Sequence, residues 1–283
     1  MDLCRIDVIR RLMAEQNITL KKGYGQNFLI NPTIPEEIAE AAADKRDMMM
    51  LEIGPGVGCL TQELALRYEK VVAVEIDRGL IPILAKTMAE YENVKVINAD
   101  ILKTDLAALV EKEGEGREVS VCANLPYYIT TPVLMYLIES GVPFRSLTVM
   151  VQKEVAERLT ARAGSADYGA ITAVLGYYGE AKMLFTVTAD NFLPPPKVDS
   201  AVVRIDLYPA PKYTPKSKEL FFGLIKAAFE MRRKTLVNAI SARYPYPKEK
   251  IAEALTSLGF PADVRGERLA TEDFAALSDA LSL

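Results

Sequence analysis

The sequence predicts an α/β fold: a mostly parallel sheet covered by helices on both faces, followed by a small all-helical C-terminal domain. Three observations carry this. From residue 48, short apolar and β-branched runs alternate with helical stretches, as parallel strands joined by crossover helices require. The stretch YPAPKYTPK (208–216) holds three prolines, lacks periodicity and reads as a linker. Beyond it every periodic segment is helical. The expected domains are therefore 1–210 and 211–283.

In chain order, MMMLEIG (48–54) reads as a buried strand and 59–68 as a helix. KVVAVEID (70–77) is a second strand, with a helix running to residue 91. VKVINAD (94–100) is a third strand and VSVCAN (119–124) a fourth. A helix opens near Thr131 and Pro132, proline being suited to a first helical turn. SLTVMVQ (146–152) is a fifth strand that runs into a charged helix over 153–162. AKMLFTV (181–187) and SAVVRIDL (200–207) read as a closing antiparallel pair. Helices are predicted near 217–230, 232–243 and 247–258, with a last one opening at Thr271.

Composition narrows the chemistry. Half of the 283 residues are hydrophobic and a quarter are charged, the balance of a globular protein with a full core. No apolar run reaches the roughly 18–20 residues of a membrane span, and MDLCRIDVIRRLM has no signal-peptide core, so a cytoplasmic protein is expected. Cys4, Cys59 and Cys122 form no CxxC pair, which argues for reduced structural thiols over a zinc site or disulfides. The chain contains no histidine. That removes Ser-His and Cys-His nucleophiles, imidazole bases and imidazole metal ligands, and no metal is expected. No large exposed apolar segment calls for obligate assembly, so a monomer is expected.

The net charge of −4 does not by itself suggest nucleic acid. Its distribution does: residues 212–250 hold ten Lys/Arg against three acids, about +7, over an acidic remainder. Such a run is either a solvated helix face or a phosphate-binding surface, with Arg232, Arg233 and Lys234 as its candidate RNA contacts. A further basic segment, with Arg5, Arg10, Arg11, Lys21 and Lys22, precedes the sheet.

The first strand ends in LEIGPGVG, placing Gly54, Gly56 and Gly58 before a helix, where backbone N–H groups can approach a ligand. A dinucleotide fingerprint starting at Gly54 needs glycine at position 59, where Cys59 stands. The Glu-x-Gly-x-Gly-x-Gly form instead resembles the first motif of class I methyltransferases, which implies a Rossmann-like sheet. Glu75 ends the second strand, about 20 residues past the loop, where an acid accepts both ribose hydroxyls. Asp100 ends the third, where it can face the adenine amine of the same ligand. Either acid alone could simply open the next helix. The loop and both acids in register point to a nucleoside ligand, with a redox cofactor still open at this stage.

The fourth strand ends in Asn124, Leu125, Pro126 and Tyr127. An exocyclic amine awaiting methylation offers two N–H donors. The Asn124 side-chain oxygen and the Leu125 or Pro126 carbonyl can accept both and aim the nitrogen lone pair at a methyl group. Tyr127 offers a ring for an extruded base. A neutral amine attacks a sulfonium methyl directly, so the missing histidine is no obstacle. C5-pyrimidine methylation, which uses a cysteine beside proline, is set aside because Leu125 and Tyr127 flank Pro126.

On these residues the chain resembles the ribosomal RNA adenine dimethyltransferases over almost its whole length. GQNFL (25–29) is similar to the family's first cofactor segment, and LEIGPGVGCLT, VVAVEID and INADIL follow in the family's order. NLPYYITTPVL is similar to its catalytic loop, and NFLPPPKVDSAVVRI (191–205) to the segment that closes the target pocket. FEMRRKTLVNAI (229–240) and RGERLATEDFAAL (265–277) resemble the helical tail. The resemblance implies S-adenosyl-L-methionine as cofactor and S-adenosyl-L-homocysteine as product. It places cofactor contacts on Asn27, Leu29, Gly54, Gly56, Glu75, Asp100 and Asn124, and Phe192 opposite Tyr127 across the target base. It also implies dimethylation of two adjacent adenosines in a hairpin near the 3′ end of 16S ribosomal RNA, within a maturing small subunit. NLPYYIT and PPPKVDS favour this small-subunit type over the large-subunit type that confers macrolide resistance. Outside the family, the alternatives are a non-catalytic RNA-binding assembly or transcription factor and an NAD-dependent dehydrogenase. The intact NLPY and both acids oppose the first, the missing third glycine and histidine the second.

Overall fold

The computed structural model describes residues 1–18 and 26–282; Lys21, Lys22 and Gly25 of the basic and cofactor segments lie outside them. The chain divides into two units, Met1–Ala156 with Lys182–Leu207, and Glu157–Ala181 with Tyr208–Leu283.

The first unit begins with α1 (Ile6–Glu15), β1 (Phe28–Leu29) and α2 (Thr33–Ala42). Strands β2 (Met49–Ile53), β3 (Lys70–Glu75) and β4 (Val94–Asn98) then alternate with α3 (Cys59–Arg67) and α4 (Ile81–Thr87). After α5 (Leu106–Gly114) come β5 (Val119–Asn124), α6 (Thr130–Glu139), β6 (Phe144–Gln152) and α7 (Lys153–Leu159). The chain then passes through α8 (Ala170–Tyr178) into β7 (Gly179–Val187), β8 (Phe192–Leu193) and β9 (Ser200–Leu207).

Seven strands form one sheet in the order β4-β3-β2-β5-β6-β9-β7. The pairs β2·β3, β3·β4, β2·β5 and β5·β6 are parallel, and β9 joins β6 antiparallel. Strands β2, β3 and β5 are buried on both faces, which is why each reads as a mostly apolar run rather than an alternating one. Strand β9 lies between β6 and β7, so the expected closing pair are neighbours, with β9 making the join to the parallel strands. The order reverses between β2 and β5: the chain runs outward through β3 and β4, then returns to the other side of β2. A crevice opens beyond the carboxyl ends of the strands at such a switch point.

Helices cover the sheet through two clusters. One joins Ile34, Ile38 and Ala42 of α2 and Leu64 of α3 to Met48, Met50 and Val71. The other joins Val8, Ile9, Leu12 and Met13 of α1 to Ile83 and Leu84 of α4. The sequence marked the α1 segment only as basic. Its arginines, Arg5, Arg10 and Arg11, are exposed, while the interleaved apolar residues form the buried stripe of an amphipathic helix.

The second unit holds α9 (Lys218–Glu230), α10 (Leu236–Ser241), α11 (Lys248–Ser257) and α12 (Thr271–Leu281) together with α8. Phe221, Leu224, Leu236, Ile251, Leu255 and Phe274 share one core with Ala173 and Tyr177 of α8. A Cβ on Gly176 would lie 2.3 Å from the Thr271 hydroxyl, and that hydroxyl donates to the Ala173 carbonyl at 2.9 Å. Residues 157–181, expected inside 1–210, therefore belong with the helices, because α8 buries its apolar side in their core. A second difference is local. The helix expected near 232–243 starts only at Leu236, where the Thr235 hydroxyl caps it by accepting from Asn238 N at 3.4 Å. Arg232, Arg233 and Lys234 lie in the turn before it, closed by Lys234 N donating to Met231 O at 2.8 Å.

Candidate active site

A cavity of about 300 Å³ opens at the carboxyl ends of β2, β3 and β5, where the strand order reverses. It brings together Asn27, Leu29, Gly54, Gly56, Glu75, Asp100, Asn124, Leu125, Pro126 and Tyr127. Residues spread over a hundred positions of sequence meet here because each one ends a strand or lies in the segment laid over those ends.

Gly56 and Gly58 both have positive φ, 62° and 99°, a region side chains other than hydrogen rarely occupy. A side chain would also crowd its neighbours: a Cβ on Gly56 would lie 3.1 Å from the Phe28 ring, and one on Gly58 2.6 Å from Met88 Cε, which would have to shift. Gly56 N donates to Glu75 Oε2 at 3.2 Å, and Asp77 N donates to Glu75 Oε1 at 2.7 Å. Glu75 is thereby stitched to the glycine loop on one side and to its own strand end on the other. It is 4% exposed, and burial pushes its carboxyl above the ordinary carboxylate range.

Asp100 does two things at once. Its Oδ1 accepts from Leu102 N at 3.1 Å and caps the short 3-10 turn Ile101–Lys103, while the residue also lines the cavity. Asn124, the last residue of β5, donates its Nδ2 to the Asn27 carbonyl at 3.4 Å. Leu125 N donates to Met150 O at 3.2 Å, which ties the loop to β6. The Pro126 carbonyl accepts twice, from Ile129 N at 3.1 Å and from the Thr130 hydroxyl at 3.3 Å. Tyr127 is half-buried on the cavity wall, its hydroxyl 2.9 Å from Ser200 Oγ, and burial pushes the phenol up.

Phe192, expected opposite Tyr127, is not among the residues that line the cavity. It pairs with Leu29 across β1 and β8, is 2% exposed, and lies in the core cluster beside Leu29, Met150 and Val202. The β1·β8 pairing accounts for its burial: it sets Phe192 beside Leu29 within that cluster. In the second unit, Arg232 Nη2 donates to the carbonyls of Tyr168 at 3.1 Å and Ala166 at 3.3 Å, with Glu267 at 3.7 Å. Arg233 and Lys234 are exposed.

The most consequential residue without a role in the sequence reading is Glu52. It sits in the middle of β2, lines the cavity, and is 1% exposed. Its Oε2 finds no hydrogen-bond partner among the described residues. Burial, with the nearby charge of Glu75 adding to it, pushes the carboxyl up to about 8. The signal was the acid of the Glu-x-Gly motif itself. Two exposed apolar side chains, Ile76 and Tyr128, also line the cavity. Among the described residues no group of three His, Cys, Asp or Glu is placed to hold a metal ion, and no helix is long and apolar enough to cross a membrane.

A family model described as ribosomal RNA adenine dimethylase matches residues 17–281. The chain is 43% identical over 274 residues to the ribosomal RNA small subunit methyltransferase A of Alkaliphilus oremlandii, covering 96% of each. It is 45% identical over 276 residues to the protein of the same name from Geobacillus thermodenitrificans, covering 96% of this chain and 94% of that one. Among solved structures it is similar to a dimethyladenosine transferase from Plasmodium falciparum, at 27% identity and a TM-score of 0.75, over 88% of this chain and 95% of that one. It is also similar to the 23S rRNA methyltransferase ErmE, at 27% identity and a TM-score of 0.71, over 91% and 100% of the two chains. The fold is thus the Rossmann-like class I methyltransferase sheet with a helical C-terminal region. The chain belongs to the ribosomal RNA adenine dimethylase family, enzymes that use S-adenosylmethionine to dimethylate adenine in ribosomal RNA.

Proposed function

We propose that the protein dimethylates the N6 amines of two adjacent adenosines in the hairpin near the 3′ end of 16S ribosomal RNA, within the small ribosomal subunit. The observation that carries the mechanism is the occupancy of the acceptors in the 124–127 loop. Both lone pairs of the Pro126 carbonyl are taken, and the amide nitrogen of Asn124 is held by Asn27. That leaves Asn124 Oδ1 and the Leu125 carbonyl as the pair of acceptors for the two N–H groups of an exocyclic amine. The sequence alone left Leu125 and Pro126 open, and the hydrogen bonds favour Leu125.

The cavity fits the cofactor. Glu75 accepts two backbone N–H groups, and an ionised carboxylate has about four lone-pair sites, so two remain for vicinal ribose hydroxyls. Asp100 accepts from Leu102 N through Oδ1, and its Oδ2 lies 3.4 Å from the exposed Lys103 ammonium with a further lone pair able to accept from an adenine amine. Asn27 and Leu29 also line the cavity, where the methionine portion of the cofactor is proposed to lie. When bound, S-adenosyl-L-methionine supplies an electrophilic methyl group. Asn124 Oδ1 and the Leu125 carbonyl would hold the amine with its lone pair on that methyl. Transfer from sulfur to nitrogen would leave S-adenosyl-L-homocysteine and release the amine proton to water, once for each methyl added to the same nitrogen. Tyr127 supports the extruded base by stacking.

The small subunit is favoured as substrate because the relatives at 43% and 45% identity are named for it, against 27% for the 23S enzyme. Phosphate contact falls on Arg233 and Lys234, since Arg232 is engaged with the carbonyls of its own unit. The test is methyl transfer from labelled S-adenosylmethionine to undermethylated small subunits, large subunits and naked 16S RNA. Label in N6,N6-dimethyladenosine of small subunits is expected; label in large subunits or in another base overturns the proposal.

A further inference from the structure

We propose that Ser200 is a positioning residue: its buried hydroxyl holds the Tyr127 hydroxyl and so fixes the ring on which the target base is to stack. The inference rests on the function proposed above and adds a residue far from the loop. Ser200 is the first residue of β9, opposite Gln152 of β6, and is 1% exposed. Its neighbour Asp199 is tied on both sides, its carbonyl accepting from Lys153 N at 3.0 Å and its Oδ1 from Ala189 N at 3.1 Å. The Ser200 hydroxyl therefore sits at a point the sheet does not let move.

Tyr127 is the opposite case. It lies in a loop, is only partly buried, and its ring lines the cavity. A tyrosine in a loop turns about two torsions, and a ring free to swing would fill the space a base must enter. The 2.9 Å hydrogen bond between the two hydroxyls pins the far end of the ring to the sheet. The face of the ring then stands ready before any RNA arrives, and no ordering is needed at the moment of binding. The tie joins the end of β5 to the start of β9, so the 191–205 segment acts on the site by holding Tyr127, with its own Phe192 buried.

The test is a double-mutant cycle with Ser200→Ala, Tyr127→Phe and both together, read by single-turnover transfer to small subunits at saturating cofactor. Each single variant should slow transfer about 3- to 10-fold, the effect of one neutral hydrogen bond. The double variant should be no slower than either single one. Calorimetric affinity for S-adenosylmethionine should stay within 2-fold of the parent (roughly the additivity error). A rate in the double variant equal to the product of the two losses overturns the proposal, and so does parental transfer by Tyr127→Phe. That variant keeps the ring and leaves β9 untouched, so it decides the matter even where Ser200→Ala folds poorly. A parent that gives no methylated adenine would instead retire the proposed function, before any variant is compared.

Discussion

Replacing Glu52 by glutamine should change how stability depends on pH, by an amount that follows from its burial. The carboxyl lies in β2 with Oε2 unpartnered among the described residues, and its folded value is about 8 against an ordinary 4.5. Below pH 4.5 it is protonated whether the chain is folded or not. Between 4.5 and 8 the unfolded chain gives up the proton while the folded chain keeps it, so unfolding gains and stability falls as pH rises. At about 1.4 kcal/mol per pH unit, the whole window is worth about 5 kcal/mol, of which about 3 is lost by pH 7. Glutamine keeps the shape of the protonated acid and does not ionise. Urea unfolding of parent and Glu52→Gln at half-unit steps from pH 4.5 to 8.5 measures the difference directly. The two curves should diverge with rising pH, the variant becoming the more stable. Glu75, raised in the same direction, remains in both proteins and cancels. Parallel curves across the window would refute the burial argument for Glu52.

Three further outcomes follow from the site. Glu75→Ala should weaken S-adenosylmethionine binding by about 1.5–3 kcal/mol, the range for hydrogen bonds to a charged group, and calorimetry showing parental affinity would remove Glu75 from the ribose. Asn124→Ala should lower single-turnover transfer by about 10²–10³ with RNA affinity nearly unchanged; Asn124→Asp, which keeps an acceptor but adds a negative charge, is the sharper comparison. Parental rates in both would make the 124–127 loop structural. Replacing Arg233 and Lys234 together by alanine should reduce the log–log salt slope of RNA binding by roughly 1.5, whereas Arg232→Ala should lower the melting temperature of the second unit. An unchanged slope would leave this turn an ordinary solvated surface.

The sheet was legible because strands buried on both faces need mostly apolar, β-branched runs, and β2, β3 and β5 have them, with Glu52 and Ser120 as the buried polar exceptions inside β2 and β5. The ends of β3 and β5 then located Glu75 and Asn124, and the end of the run through β4 located Asp100, with no tertiary information. What stayed hidden depends on contacts between distant residues. Phe192 looks like an accessible ring in a proline-rich loop until β8 pairs with β1 and turns it into the core. Arg232 is indistinguishable from Arg233 in sequence, yet two carbonyls more than sixty positions away claim its guanidinium. Glu52 belongs to a quoted motif, but only the absence of a partner marks it as electrostatically unusual. The segment around α8 lies between two strands and was counted with them, although its apolar side fits the helical core.

That α8 belongs with the helices bears on how the protein is made. The second unit draws on residues 157–181 and 208–283, with 182–207 returned to the sheet between them. During synthesis α8 leaves the ribosome before α9, so Ala173 and Tyr177 must wait exposed until the final helices emerge. The sheet is held up in its turn, since β9, which joins β6, is translated only after α8. Each unit is thus completed late and out of chain order, and a fragment cut at residue 210 leaves the tail helices without Tyr168, Ala173 and Tyr177. Limited proteolysis of nascent chains should find 157–181 among the last stretches to become protected.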